Sequence, residues 1–284
     1  MADLDLVSGF LGERVDLAAE LYHRDPAVGS TDLSLALTKS LYHFERKKTG
    51  AFEGETSDAM ALGTLTHTAI LEPERFARDF VVAPKVDKRT KAGKAELEAW
   101  NADAKANGKT LVDPDDLAKA GRMADAIMGH VRARRAFELR PYLREPSYFW
   151  LDEESGIRCK CRPDHLAAGG ALAVDLKTSR DVSPRSFAKS IVNFGYHRQR
   201  AHYIAGIEAV TRIRPEAWLF VVVENVEPHT VAVFELDEDF AELGEKSRRR
   251  ALAKIRHGID SRIWAVGDGK IVTLSRPGWA SEED

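Results

Sequence analysis

Two aspartates and a lysine stand close together in the middle of the chain. The run Arg158-Cys159-Lys160-Cys161-Arg162-Pro163-Asp164 is followed, ten residues on, by Asp175-Leu176-Lys177. A hard divalent cation takes a pair of carboxylate oxygens as ligands, and an ammonium beside them can orient water or bind a phosphate. The chemistry this set suggests is metal-assisted hydrolysis of a phosphodiester. Side chains alternate across a strand, so Asp175 and Lys177 share a face with Ala171 and Ala173, and Leu172, Val174 and Leu176 share the other. Upstream, Arg158, Lys160, Arg162 and Asp164 fall on one face of a second alternating segment. His165 to Ala171, with Gly169-Gly170, reads as a hairpin turn that folds Asp164 beside Asp175. The apolar face then packs into a core, and the alanine face leaves room for substrate. D-x-K by itself is a short motif, and a surface hairpin with scattered charges is its plain alternative.

Further groups could join this site. Gly63-Thr64-Leu65-Thr66-His67-Thr68-Ala69-Ile70-Leu71-Glu72 reads as a helix whose broad apolar side carries His67, a competent metal ligand when neutral. Glu72 precedes Pro73 and marks the helix end. Gln199 and Tyr203, four apart in Tyr196-His197-Arg198-Gln199-Arg200-Ala201-His202-Tyr203, share a helix face and are expected to touch a DNA backbone or a metal-bound water. Arg158, Lys160, Arg162 and Arg198 are candidate phosphate contacts, and Glu145 a candidate outer carboxylate. Arg132, Arg134 and Arg135, Arg248 to Arg250, and the stretch Lys85 to Lys94 are basic clusters that fit either phosphate contacts or a solvated face.

These groups need a scaffold of strands behind helices. Residues 1–30 are poorly periodic and read as a peripheral arm. Thr31 or Asp32 caps a helix to Lys47, and Ser57 or Asp58 a second one to Leu71. Lys91–Asn107 and Asp113–Phe137 follow as helices. Ser147 to Leu176 reads as a three-stranded meander turning first at Glu154-Ser155-Gly156. Helices over 184–193 and 196–211, strands over 217–224 and 230–236, and a helix from Asp237 to about His257 complete the pattern. The order predicts a mixed α/β core behind a helical N-terminal part, in one domain over 31–279 with a tail at 280–284.

Composition bounds the classes. With 284 residues, 44% hydrophobic and 31% charged, the chain has ample core material. The apolar run Trp218 to Val223 is far too short to span a bilayer, and Met1 to Val7 has no basic n-region of a signal peptide. Cys159 and Cys161, two apart on one strand, neither pair readily nor complete a four-cysteine site, and a reduced cytoplasmic protein is expected. A net charge of -3 argues against a basic DNA-coating protein but leaves room for a local basic channel.

The stretches G-T-L-T-H-T-A-I-L-E-P, E-P-S-Y-F-W, C-K-C-R-P-D, D-L-K-T, Y-H-R-Q-R-A-H-Y, W-L-F-V-V-V-E and V-A-V-F-E-L-D occur in this order over roughly residues 33–279. In combination they resemble the RecE-type exonucleases (exodeoxyribonuclease VIII) of the PD-(D/E)XK superfamily, often encoded by prophages. The resemblance implies the PD-(D/E)XK core, a central mixed sheet flanked by helices. It also implies that His67, Asp164 and Asp175 hold Mg²⁺ (Mn²⁺ as substitute), that Lys177 is the catalytic lysine and that Gln199 is the glutamine of the following helix. Asp175 stands where many members carry glutamate, and the resemblance implies only the nuclease part of RecE, not its long N-terminal extension.

The activity so implied is 5′-to-3′ digestion of double-stranded DNA ends that leaves a 3′ single strand for recombination. A single-strand annealing protein of RecT type is the implied partner, and a homo-oligomeric ring, a tetramer or else a trimer, the implied assembly. An endonuclease on the same core and a catalytically silent DNA-binding protein are the rivals. A CRISPR-associated exonuclease would usually bring four cysteines for an iron-sulfur cluster, and this chain has two.

Overall fold

The computed structural model describes residues 6, 8–51, 58–87, 89–264, 271 and 273–276. Strand β1 (Gly12–Arg14) is followed by helices α1 (Ala19–Arg24), α2 (Ser30–Thr38), α3 (Leu41–Lys48), α4 (Asp58–Leu71) and α5 (Pro73–Asp79). Strands β2 (Phe80–Val82) and β3 (Thr110–Val112) pair in parallel around α6 (Lys91–Ala106). Next come α7 (Pro114–Gly129), α8 (Val131–Glu138), β4 (Leu143–Arg144), β5 (Ser147–Leu151), β6 (Arg158–Cys161), β7 (His165–Ala167) and β8 (Leu172–Ser179). The chain continues through α9 (Pro184–Phe194), α10 (Tyr196–Thr211), β9 (Ala217–Glu224), β10 (Val231–Phe234) and α11 (Glu238–Ser261).

The central sheet has the order β10-β9-β8-β7-β4, parallel only between β8 and β9. Helices α9 and α10 supply the crossover that a parallel pair requires. Both faces are buried. Trp218, Phe220 and Val222 of β9 pack toward α10 and α11, and Val221 and Val223 pack toward α4, α7 and α8. The alternation expected of β8 holds, with Val174 and Leu176 in the α4 layer. Ala173 is buried in the other layer rather than facing substrate space.

The expected meander is divided between two sheets. β5 and β6 join β1 in a separate antiparallel sheet, whereas β7 and β8 belong to the central one. His165 to Ala167 is thus strand, and the turn is confined to Ala168 to Ala171. Pro163 explains the division, because it cannot donate to a ladder and ends β6. Asp164 therefore stands at the crossing from one sheet to the next.

Two expected long helices are each broken. Ser40 Oγ accepts from the His43 amide at 3.3 Å and starts α3 anew, and His130 Nδ1 accepts from Ala133 at 3.2 Å and starts α8. The described part of residues 1–30 is not peripheral. β1 pairs with β5, Leu6 O accepts from Arg158 N at 2.7 Å, and Val28 exchanges backbone bonds with Arg158 and Lys160. Leu6, Ala27 and Val28 are buried, so this segment completes the small sheet. Ser57, Lys88 and the 280–284 tail lie outside the described residues. Among the described residues, no helix is long and apolar enough to cross a membrane.

Candidate active site

β7 reaches only to His165, opposite Val174, so Leu176 lies beyond the end of its neighbour. Side chains take the place of that strand. Asp164 Oδ2 accepts from the Leu176 amide at 2.7 Å, and His67 Nε2 lies 3.0 Å from the Leu176 carbonyl. A carbonyl only accepts, so Nε2 carries the imidazole proton. Burial, aided by Lys177, lowers the His67 pKa, which keeps the ring neutral with its lone pair on Nδ1. That nitrogen lies 3.7 Å from Asp164 Oδ2. The Leu176 peptide thereby aligns a carboxylate and an imidazole from elements more than 90 residues apart in sequence (about 97 from His67 to Asp164).

Asp175 and Lys177 project from the opposite face of β8, toward α10. Asp175 is fully buried. Its Oδ1 accepts from Gln199 Nε2 at 3.2 Å, and its Oδ2 touches the Lys177 ammonium without a well-directed hydrogen bond. The ammonium lies 4.7 Å from the centre of the Tyr196 ring, a cation–π contact. Burial pushes the Asp175 pKa up to about 6, with Lys177 opposing and Asp164 adding to the rise. Burial pulls on Lys177 as well, but Asp175 and Asp164 outweigh it and hold its pKa above the ordinary range. The ammonium thus stays charged, while the two carboxylates compete for one counter-ion.

The donor set suits a hard cation. One Asp175 oxygen lacks a directed partner, His67 Nδ1 is unprotonated, and the pocket has one carboxylate more than its single ammonium neutralises. Among the described residues, no three His, Cys, Asp or Glu side chains are already grouped as a metal site. Lys177 accounts for this, since it draws Asp175 to itself while Asp164 and His67 are drawn to the Leu176 backbone.

The other sequence candidates divide. Gln199 lies against Asp175, to which its amide donates. Tyr203 does not face solvent: burial holds its pKa at about 12, and its hydroxyl reaches Gln199 and Ser30, so it supports Gln199 rather than DNA. Arg158 is 2% exposed and makes a bidentate pair with Asp25 at 2.8 Å. Lys160 Nζ donates to the carbonyls of Tyr22 and Asp25, and Arg162 to Ser147 Oγ and Leu17 O. Arg198 is buried on Ser34 and Ser247. The assignment of Arg158, Lys160, Arg198 and Tyr203 to DNA binding is therefore corrected, and Arg162, half-buried, spends two donors inside the protein. The basic face of β6 fastens the N-terminal segment.

A cleft of about 860 Å³ opens beside Asp164, lined by Glu72, Arg75, Arg78, Arg144, Glu145 and Arg162 among others. Glu145 donates its backbone N–H to the Asp164 carbonyl at 3.0 Å. Burial raises its carboxyl pKa, and Asp164 and Glu72 add to the rise. It thus borders the site as an outer carboxylate would. Glu72 pairs with Arg75 at 2.6 Å where α5 begins. Tyr196 and the Leu176 backbone were not among the sequence candidates. Tyr196 directly follows Gly195, whose helix-ending conformation aims it at Lys177, and the backbone role of Leu176 leaves no trace in side-chain identity.

The fold has a solved counterpart. A crystal structure from Eubacterium rectale, described as a "Putative exonuclease", superposes with TM-score 0.60 at 11% identity, covering 93% of this chain and 97% of that one. A second structure, SSO0001, reaches TM-score 0.26 at 15% identity over 70% of this chain and 88% of its own, too distant to carry an argument. No curated protein matches the chain. A family model described as "PDDEXK-like domain of unknown function (DUF3799)" matches residues 33–274. With the mixed sheet, the aspartate at the strand crossing and Asp175-Leu176-Lys177 on the next strand, the chain belongs to this PDDEXK-like family and has the PD-(D/E)XK nuclease core.

Proposed function

We propose that this chain is a Mg²⁺-dependent double-strand DNA exonuclease of RecE type that digests 5′ to 3′ and leaves 3′ single strands for recombination. The observation that carries this reading is the gathering of Asp164 and His67 on the Leu176 peptide with Asp175 and Lys177 beside them. His67, Asp164 and Asp175 are the residues that would hold the ion, and Mn²⁺ would substitute. The ion, when bound, supplies Lewis-acid polarisation of the phosphate and a lowered pKa for a water. Gln199 restrains Asp175 by its amide. The Leu176 amide and carbonyl fix the rotamers of Asp164 and His67. Lys177, held charged by Asp175 and Asp164, keeps its proton and would present an ammonium to the attacked phosphate. The Tyr196 ring limits where that ammonium can go.

The description of the Eubacterium rectale protein adds support for an exonuclease reading. A ring of subunits, four or else three, and an annealing protein of RecT type belong to this proposal through the resemblance. The cations facing DNA in such a ring are not Arg158 and Lys160. Arg144, Arg185 and Lys189 are exposed and, among the described residues, form no ion pair, so they are the better phosphate contacts. The test is digestion of linear duplexes labelled at either 5′ end, beside covalently closed circles, with Mg²⁺ and with EDTA. Loss of the linear DNA alone, and only with Mg²⁺, is expected. Efficient nicking of closed circles would move the reading to an endonuclease, and no cleavage of either to a silent DNA-binding protein.

A further inference from the structure

Phe194 is 64% exposed, the most exposed aromatic side chain among the described residues. Its position is not arbitrary. The ring centroid lies 5.6 Å from that of Tyr196, with planes tilted by 33°. Tyr196 in turn carries the Lys177 ammonium against its ring. Phe194 therefore extends outward, by one ring, the aromatic wall on which the lysine rests. Phe187, on the same helix, closes the inner side of that wall against Tyr196 and Phe220.

The connection is stiff. Phe194 ends α9 and Tyr196 begins α10, with only Gly195 between them, in the left-handed conformation at φ +71°. A Cβ at Gly195 would meet the Arg198 guanidinium at 2.2 Å. The short link and the crowded glycine fix the Phe194 backbone relative to Tyr196, so the outer ring has a defined place beside the lysine.

A single exposed aromatic is ordinary on protein surfaces. One that lies within two ring contacts of a phosphate-binding ammonium has a specific use. The two contacts, 4.7 Å from the Lys177 ammonium to the Tyr196 ring and 5.6 Å from there to Phe194, span no more than about three base steps of about 3.4 Å, so a base close to a phosphate held at Lys177 is within reach of this ring. Every base has a π-face, and stacking on an aromatic side chain tolerates any sequence. Degradation without sequence preference calls for that kind of grip.

We propose that Phe194 is a stacking platform for a nucleobase next to the scissile phosphate at the DNA end. This rests on the nuclease reading above. It assigns Phe194 as a positioning residue, with Tyr196 as the spacer that joins it to the site.

The test is binding of a linear duplex in EDTA, where nothing is cut, by the wild type and Phe194→Ala. The duplex carries either intact ends or one abasic site at each of the three terminal nucleotides of either strand in turn. Phe194→Ala is expected to weaken binding of the intact end about tenfold. At one abasic position the wild type should lose a similar factor and Phe194→Ala nothing further. Phe194→Trp should bind the intact end at least as tightly as the wild type. Equal binding of the intact end by wild type and Phe194→Ala overturns the proposal, and so do losses that multiply at every abasic position. Cleavage of the intact duplex by the wild type with Mg²⁺ is followed in parallel. If the wild type neither binds nor cuts DNA, the nuclease reading itself fails; if it cuts normally and Phe194 proves indifferent, only this inference fails.

Discussion

The amide of Leu176 donates to Asp164 Oδ2 at 2.7 Å, in the place where a neighbouring strand would otherwise stand. One carboxylate thus ends a β-ladder and borders a candidate cation site. Its removal carries two costs. Asp164→Ala leaves the Leu176 amide unpaired in a part-buried position, which destabilises by about 1–3 kcal/mol. Asp164→Asn can turn its amide oxygen to the same N–H and should restore most of that stability without restoring cleavage. Urea midpoints beside nuclease rates for the two variants check this. Equal stability of both would show that the bond holds nothing in place.

His67 separates in the same way. His67→Gln can still donate to the Leu176 carbonyl but offers no imidazole nitrogen to an ion. We expect it to keep near-wild-type thermal stability and to need a higher Mg²⁺ or Mn²⁺ concentration for half-maximal cleavage. His67→Ala should lose both. An unchanged metal titration in His67→Gln with a lowered melting temperature would make this histidine structural.

Gln199 and Tyr203 form a chain of support behind Asp175. Outer hydrogen-bond partners of ligands are worth about 10–100-fold in metal affinity or activity. Gln199→Ala should fall in that range, measured as the metal dependence of cleavage. Tyr203→Phe should cost less and leave the salt dependence of DNA binding unchanged, since the hydroxyl is turned inward. A lower salt slope for Tyr203→Phe would return it to the DNA-binding surface.

Arg158 and Asp25 make a bidentate pair that fastens the N-terminal segment to β6. Breaking a buried pair by removing one partner costs about 3 kcal/mol or more. Arg158→Ala should therefore show a lower urea midpoint and an unaltered salt slope for DNA binding. A reduced slope with unchanged stability would contradict the internal role.

Two buried histidines contribute to the acid response. Burial lowers both His165 and His202 to a pKa of about 4, against about 6.5 in the unfolded chain. The unfolded state binds more protons between these values, so their stabilisation is present above pH 6.5 and is lost as pH falls toward 4. Each loses about 2 kcal/mol between pH 7 and 5 on this reckoning. Asp175, raised to about 6, acts in the opposite sense, so a variant isolates the effect. The stability gap between wild type and His165→Leu should shift by about 2 kcal/mol in favour of the variant between pH 7 and pH 5. A gap that does not move with pH would contradict the burial argument.

Much of the candidate site is legible in the sequence because its residues lie in short runs whose alternation fixes their faces. Asp175 and Lys177 share a face of β8 as two-residue spacing requires, and Gln199 meets Asp175 from α10. The misplacement of Arg158 and Lys160 has a plain cause. Alternation says which side chains share a face but not what covers it, and here the covering segment comes from more than 130 residues upstream (Asp25 to Arg158, 133 apart). Likewise Pro163 marks where the meander divides, but that β5 and β6 join β1 in a separate sheet is a long-range pairing that local pattern does not contain.

The central claim is that Asp164, Asp175, His67 and Lys177 form a metal-dependent nuclease site. Its most direct measurement is release of nucleotides from linear duplex DNA by the wild type and Asp175→Ala across a Mg²⁺ titration, with DNA binding followed in parallel. The account predicts Mg²⁺-dependent release by the wild type, none by Asp175→Ala at any Mg²⁺ concentration, and binding by the variant as tight as the wild type or tighter, because a negative charge near the phosphates is gone. Release by Asp175→Ala at a near-wild-type rate would contradict it.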